Sequence, residues 1–249
     1  MKTSKTPASI DAFDFEDGKV ISSKYQFVKK LGEGWEGEVY LVKELDTNIE
    51  RTAKFFYPHR NLNNKTVKSY AKKLHKLRNC TGLIKYINKE NFRFKGHSVQ
   101  YLLSEYIEGG SVQAYLKKFH PKGMPYYQAL HLFYAIVCAC QEIHKHKEWH
   151  GDLHLENIML QQSGFHYDIK LIDIFHTAHS PNDKGSPLED LYDVCDILYE
   201  LIGGSKRYAQ QPQIIKDICC GRKKSLIKKK FKSTRILKDF LETTPWEVF

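Results

Sequence analysis

The stretch His150-Gly151-Asp152-Leu153-His154-Leu155-Glu156-Asn157-Ile158-Met159, followed by an apolar run that ends in Leu171-Ile172-Asp173, constrains this chain more than any other. Asp152, Asn157 and Asp173 each stand beside apolar residues of β type, so three polar groups are set on packed elements. One carboxylate of such a set can orient an attacking hydroxyl and accept its proton. The amide and the second carboxylate offer hard oxygen donors of the kind that hold Mg²⁺. Alone, the pattern can arise by chance, and its weight depends on whether the earlier half supplies a phosphate cradle and a lysine.

Both are legible there. Tyr25 to Lys30 reads as a strand leading into Leu31-Gly32-Glu33-Gly34-Trp35-Glu36-Gly37-Glu38-Val39-Tyr40-Leu41-Val42, which is G-x-G-x-x-G-x-V between two β-rich segments. Glycines so placed let backbone N–H groups approach a triphosphate without side-chain interference. A lone glycine pattern serves a structural hairpin just as often. Here the chain continues as another strand and not as a helix, which excludes the dinucleotide-binding version of the motif. Further on, Arg51-Thr52-Ala53-Lys54-Phe55-Phe56 is a strand with one lysine beside a small residue. By itself such a lysine is ordinary surface charge.

In order and spacing these elements resemble the protein kinase superfamily, over roughly Tyr25 to Gly204. The resemblance implies an α+β, two-lobed protein kinase-like fold, with a small antiparallel β-rich N-lobe carrying one main helix and a larger, mainly helical C-lobe. Residues 1–24 would form a polar N-terminal extension, with an aromatic-acidic patch at Phe13-Asp14-Phe15-Glu16-Asp17, that packs on the N-lobe, 25–107 the N-lobe, and 108–249 the C-lobe with a short activation segment. It implies an ATP- and Mg²⁺-dependent phosphotransferase, foremost an atypical, compact serine/threonine kinase. By the same resemblance Asp152 positions the acceptor hydroxyl and His154 offers a donor to the γ-phosphate. Lys54 grips the α- and β-phosphates, Gly32, Gly34 and Gly37 form the cradle, and Asn157 and Asp173 hold Mg²⁺. Backbone groups of Glu105 and Ile107 would bond the adenine behind Ser104, with Leu31, Val39, Ala53 and Met159 sandwiching the ring. That these four are simply core residues is an equally compatible reading.

The departures from the family pattern matter as much. The helix expected over Lys65 to Arg78 contains no acidic residue, although the family usually pairs the strand lysine with a helix Glu. The matching positions fall near Tyr70, Ala71 and Lys72, which makes Asp173 the obvious substitute partner for Lys54. Gly151 stands where regulated kinases have Arg, so phosphorylation of an activation loop is not the expected switch. The metal motif reads Asp173-Ile174-Phe175, without the usual glycine, and a motif fixed in one orientation is expected. The interval from Asp173 to Asp190 is short and lacks A-P-E. His-Gly-Asp and the short interval also suit aminoglycoside- or choline-type small-molecule kinases, and the missing helix Glu suits a pseudokinase. Asp190, opening the helical pattern Asp190 to Ile202, is expected to accept hydrogen bonds from the catalytic-loop backbone.

Composition enters as a limit on partners. In 249 residues, 41% hydrophobic and 27% charged, no apolar run approaches membrane-spanning length and no secretory signal is apparent, so a cytoplasmic protein is expected. The six cysteines show no C-x-x-C spacing and read as reduced, mostly buried thiols. The net charge of +10 concentrates in Lys65 to Arg78 and Arg222 to Lys238, without a nucleic-acid signature. Solvated helix faces account for both, and a weak contact of the C-terminal basic helices with an acidic surface is the alternative. The expected partners are therefore ATP and a protein acceptor, with a small-molecule acceptor as second choice. The C-terminal Pro245-Trp246-Glu247-Val248-Phe249 is apolar enough to dock on the C-lobe.

Overall fold

The computed structural model describes residues 9–164, 166–174 and 185–245, and it divides into two compact units. The first takes the chain up to Arg78 and then Ile84–Tyr106. The second takes Asn79–Leu83 and the chain from Ile107 onward. The expectations for Phe175, for the segment 175–184 and for docking of residues 246–249 lie outside the described residues.

Successive hairpins build the first unit. Strands β1 (Val20–Ile21), β2 (Tyr25–Gly34), β3 (Gly37–Glu44), β4 (Glu50–Phe56), β5 (Tyr86–Phe94) and β6 (His97–Glu105) form one antiparallel sheet in the order β1-β2-β3-β4-β6-β5. Helix α1 (Lys65–Lys76) turns Thr66, Val67, Tyr70 and Leu74 inward and leaves its lysines outward. Alternation along the strands gathers Phe27, Tyr40, Phe55 and Tyr101 into one aromatic cluster, and Phe13 and Phe15 complete it. Ring centroids of Phe15 and Phe27 are 4.5 Å apart and those of Phe55 and Tyr101 4.9 Å. The aromatic patch of the N-terminal extension, expected to pack on this unit, thus goes further and supplies part of its core.

A buried carboxylate pins that segment. Glu38 is fully buried and accepts the Phe13 N–H at 2.9 Å, the Tyr57 hydroxyl at 3.1 Å and the Tyr40 hydroxyl, with Lys30 Nζ 3.3 Å away. Burial pushes its carboxyl upward, but the bonds from Tyr40 and Phe13 together with Lys30 outweigh this and hold it below the ordinary value.

The second unit is mainly helical. It comprises α2 (Val112–Phe119), α3 (Tyr126–Lys145), α4 (Pro187–Leu201), α5 (Ser205–Tyr208), α6 (Gln213–Cys219), α7 (Lys224–Lys230) and α8 (Thr234–Thr243). A small antiparallel sheet joins β7 (Gly110–Ser111), β8 (Ile158–Ser163) and β9 (His166–Leu171). Helix α3 buries Leu130, Phe133, Ile136, Val137, Cys140 and Ile143, the positions its periodicity picks out, and packs on α4, α8 and β9. Pro187 and the Ser186 side chain, which accepts the Glu189 N–H, start α4.

Leu83 makes an isolated parallel bridge to Leu171, while β5 starts at Tyr86. The Leu171 N–H donates to Gly82 O at 2.8 Å, and Glu142 of α3 accepts the Thr81 N–H at 2.7 Å, which ties 79–83 to the second unit. All six cysteines are free thiols, four of them buried. Among the described residues no helix is long and apolar enough to cross a membrane.

Candidate active site

In the first unit the glycine stretch is the β2–β3 hairpin, with Gly32 opposite Val39 and Gly34 opposite Gly37. A Cβ on Gly37 would lie 1.8 Å from the Phe55 carbonyl oxygen, so close approach of β4 demands glycine there. At Gly32 and Gly34 a Cβ would meet nothing within 4 Å. Packing therefore does not explain those two, and the open space above the backbone is what a phosphate cradle requires.

Lys54 sits on β4 opposite Val39. Its Nζ lies 3.2 Å from Glu36 Oε2, both side chains being less than a fifth exposed, and 5.6 and 5.2 Å from the ring centroids of Phe56 and Tyr70. An acid beside this lysine thus comes from the hairpin turn, while α1 presents an aromatic face from Tyr70, one of the positions where a helix Glu was sought. The turn itself is held twice. The Tyr57 N–H donates to Glu36 O at 2.9 Å, and the Arg60 guanidinium stacks 4.2 Å from the Trp35 ring.

The adenine-facing set divides. Val39 is half-buried and shares the face of its cross-strand partner Lys54, and Leu31 is exposed. Ala53 is fully buried in the aromatic cluster. Because neighbouring strand residues point to opposite faces, Ala53 lies on the side away from Lys54, and Thr52 takes the side assigned to it from the sequence. Ser104 is buried at the end of β6, and the Glu105 N–H donates to Lys85 O at 3.0 Å. In the second unit Ile107 and Met159 are half-buried, Met159 opposite Ser111.

The catalytic-loop candidates all lie in the second unit, and one carboxylate organises them. Asp190, fully buried on α4, accepts the His150 N–H at 2.7 Å and the Gly151 N–H at 2.8 Å, the bonds expected from the sequence. Gly151 has φ +83°, a conformation that suits glycine and disfavours the arginine usual at this place. His150 is fully buried. Its Nδ1 accepts the Asp152 N–H at 3.3 Å, which leaves Nε2 to donate to Ile172 O at 2.9 Å. The Ile172 N–H donates to Asn157 O at 2.9 Å. Ile172 is held from both sides, and the next residue, Asp173, has φ +55°. Asn157 Nδ2 donates to Asp152 O at 2.9 Å and to Asp152 Oδ2 at 3.2 Å. His154 Nε2 stands 3.8 Å from Asp152 Oδ2, and its Nδ1 accepts the Glu156 N–H.

Behind Asp190 lies a layer that sequence reasoning missed. His144 of α3 donates from Nε2 to Asp190 Oδ2 at 2.8 Å and accepts the Thr234 hydroxyl of α8 at Nδ1, also 2.8 Å. Burial pushes Asp190 upward, but bonds from His144 and the two loop N–H groups hold it below the usual carboxylate range. Cys140, His144 and Asp190 bring ligand atoms within 4.8 Å of one another, yet all engage in hydrogen bonds that complete the buttress. The helical spacing of Cys140 and His144 was the available signal.

The model of the protein kinase domain matches residues 25–195. The chain belongs to the protein kinase domain family. A probable serine/threonine-protein kinase of Dictyostelium discoideum is 28% identical over 192 residues, covering 69% of this chain and 25% of that protein. The serine/threonine-protein kinase PrkC of Bacillus subtilis is 26% identical over 164 residues, 63% of this chain and 23% of that one. The chain spans about a quarter of the length of these curated relatives. Among solved structures, a variant of the Mycobacterium tuberculosis PknI kinase domain matches with TM-score 0.69 at 15% identity, over 92% of this chain and 98% of that one. The fold is therefore the kinase fold, with its antiparallel β-rich and mainly helical units. Within this kinase domain the described α1 carries no acid, and Glu36 is a carboxylate beside the strand lysine.

Proposed function

We propose that this kinase domain is an ATP- and Mg²⁺-dependent phosphotransferase acting on serine or threonine hydroxyls of a protein. The observation that carries the reading is the Asp152–Asn157 pair, held by Asp190 and by the His150–Ile172 bond next to Asp173. Asp152, largely exposed at its carboxylate, accepts the proton of an incoming hydroxyl. Asn157 spends its amide hydrogens on Asp152, which turns Oδ1 the other way, so an amide oxygen and the Asp173 carboxylate form a hard donor set suited to Mg²⁺. When bound, the metal neutralises charge developing on the phosphates. The left-handed backbone at Asp173 is a strained state of the kind kept at functional positions. In the other unit Lys54 neutralises α- and β-phosphate charge over the hairpin of Gly32, Gly34 and Gly37.

The protein acceptor is preferred because both curated relatives are named as serine/threonine kinases. Six free thiols suit a reducing compartment such as the cytoplasm. Arg222, Lys224 and Lys230 pair with Asp196, Glu189 and Asp217, which favours a solvated, partly compensated face over a docking site for acidic surfaces. The test is γ-phosphate transfer from ATP to serine/threonine peptide mixtures. Wild type should phosphorylate, and Asp152→Asn and Asp173→Asn should each lose about a hundredfold or more in kcat. Transfer that persists in both variants, or is absent from wild type, removes the enzyme reading and leaves a nucleotide-binding pseudokinase. Transfer to small aminated alcohols alone would reassign the acceptor.

A further inference from the structure

We propose that Glu36 is the positioning residue for Lys54, so that the carboxylate that aligns the lysine in this kinase domain comes from the glycine-rich turn and not from helix α1, which adds only the Tyr70 ring face. The inference rests on the reading of Lys54 as the phosphate-binding lysine. A lysine with four rotatable bonds grips phosphate well only when its ammonium is held in place beforehand. Here the holding groups are identifiable: the Glu36 carboxylate at 3.2 Å and the faces of Tyr70 and Phe56 at 5.2 and 5.6 Å. Glu36 is held in turn, because its carbonyl accepts the Tyr57 N–H and the adjoining Trp35 is stacked by Arg60. Helix α1 offers lysines, Tyr70 and no carboxylate, so it cannot form an ion pair with Lys54 from any rotation.

The placement has a functional consequence. The acid belongs to the same turn as the cradle glycines, so closing the turn over the phosphates and orienting the lysine become one event. Movement of α1 toward or away from the sheet then makes or breaks no carboxylate pair with Lys54, and control of the lysine through such a pair on that helix is lost. Control exerted on the turn, for example through the Arg60–Trp35 contact, replaces it.

The experiment measures Mg·ATP binding by calorimetry and the kcat and KM of peptide phosphorylation. Glu36→Gln keeps the shape and removes the charge. It should lower kcat about tenfold and raise KM for ATP severalfold, with melting temperature within about 2 °C of wild type. Glu36→Asp should recover part of the loss. The double variant Glu36→Gln/Tyr70→Glu, which puts an acid on α1 beside Lys54, should recover more than Glu36→Gln alone. If Glu36→Gln binds and turns over ATP as well as wild type or better while Lys54→Met fails, Glu36 competes with phosphate instead of positioning the lysine, and the proposal is wrong. If Lys54→Met itself matches wild type in both measurements, the kinase reading of Lys54 falls and takes the proposal with it. Should wild type bind nucleotide without turnover, the affinities of the same variants decide.

Discussion

Asp193, half-buried on α4, has its carboxyl raised to about 7 by burial, with Asp190 and Glu189 adding to the shift. Between the ordinary carboxylate value and about 7 the folded chain holds a proton that the unfolded chain releases. Its contribution to stability is therefore complete at acid pH and is lost as pH rises through 7. Asp193→Asn should raise stability at pH 8 by about 1 kcal/mol after allowing for solvent screening, seen as a higher melting temperature, and by less at pH 5. Equal shifts at both pH values would refute this. Single residues also mark where sequence spacing misleads. Ala53 was placed in the adenine set by the family resemblance, but a strand sends neighbours to opposite faces, and Ala53, next to Lys54, joins the aromatic cluster. Glu36 was visible inside the glycine motif, yet nothing local reveals that a turn carboxylate reaches a lysine on β4.

The helices of the second unit meet at a polar joint. His144 of α3 and Asp190 of α4 bond each other, Thr234 of α8 closes the far side, and the loop N–H groups of His150 and Gly151 complete the near side. Asp190→Ala leaves those buried donors unsatisfied and should cost about 3–5 kcal/mol by chemical denaturation, together with most activity. His144→Ala leaves the loop bonds intact, so it should cost only about 1–2 kcal/mol and reduce kcat far less. An equal loss of kcat in the two variants would mean that the buttress, and not the carboxylate alone, positions the loop. Asp190 is held below the ordinary range, so its stabilisation is present above that range and disappears as pH falls through the lowered value. The helical periodicity of α3 and of the stretch from Asp190 was plain in the sequence because it is local, whereas the Ser186–Pro187 start of α4 lies upstream of that pattern. The triad was not plain there, since its members come from three helices.

At the scale of the whole molecule, the described residues build two units of unlike composition, and chain order does not respect their border. Residues 79–83 lie within the first unit's stretch of sequence yet pair with β9 and α3. Residues 13 and 15 precede every strand yet fill the aromatic cluster. Phe15→Ala should cost about 3–5 kcal/mol and raise amide hydrogen exchange across β2, β3 and β4, while leaving α3 and α4 protected. Exchange unchanged in those strands would show that the segment only covers the sheet.

Local chemistry by itself determined the glycine hairpin, the strand lysine, the H-x-D-x-x-x-x-N loop, the helices with clear periodicity and the family they belong to. Each is a short pattern whose spacing alone carries the meaning. Only the tertiary structure decided that a turn acid partners Lys54, that Thr52 and not Ala53 shares its face, that His144 and Thr234 brace Asp190, and that a polar-looking N-terminal stretch supplies core. Contacts between residues distant in sequence depend on how strands and helices pack, and packing leaves no fixed spacing in the chain.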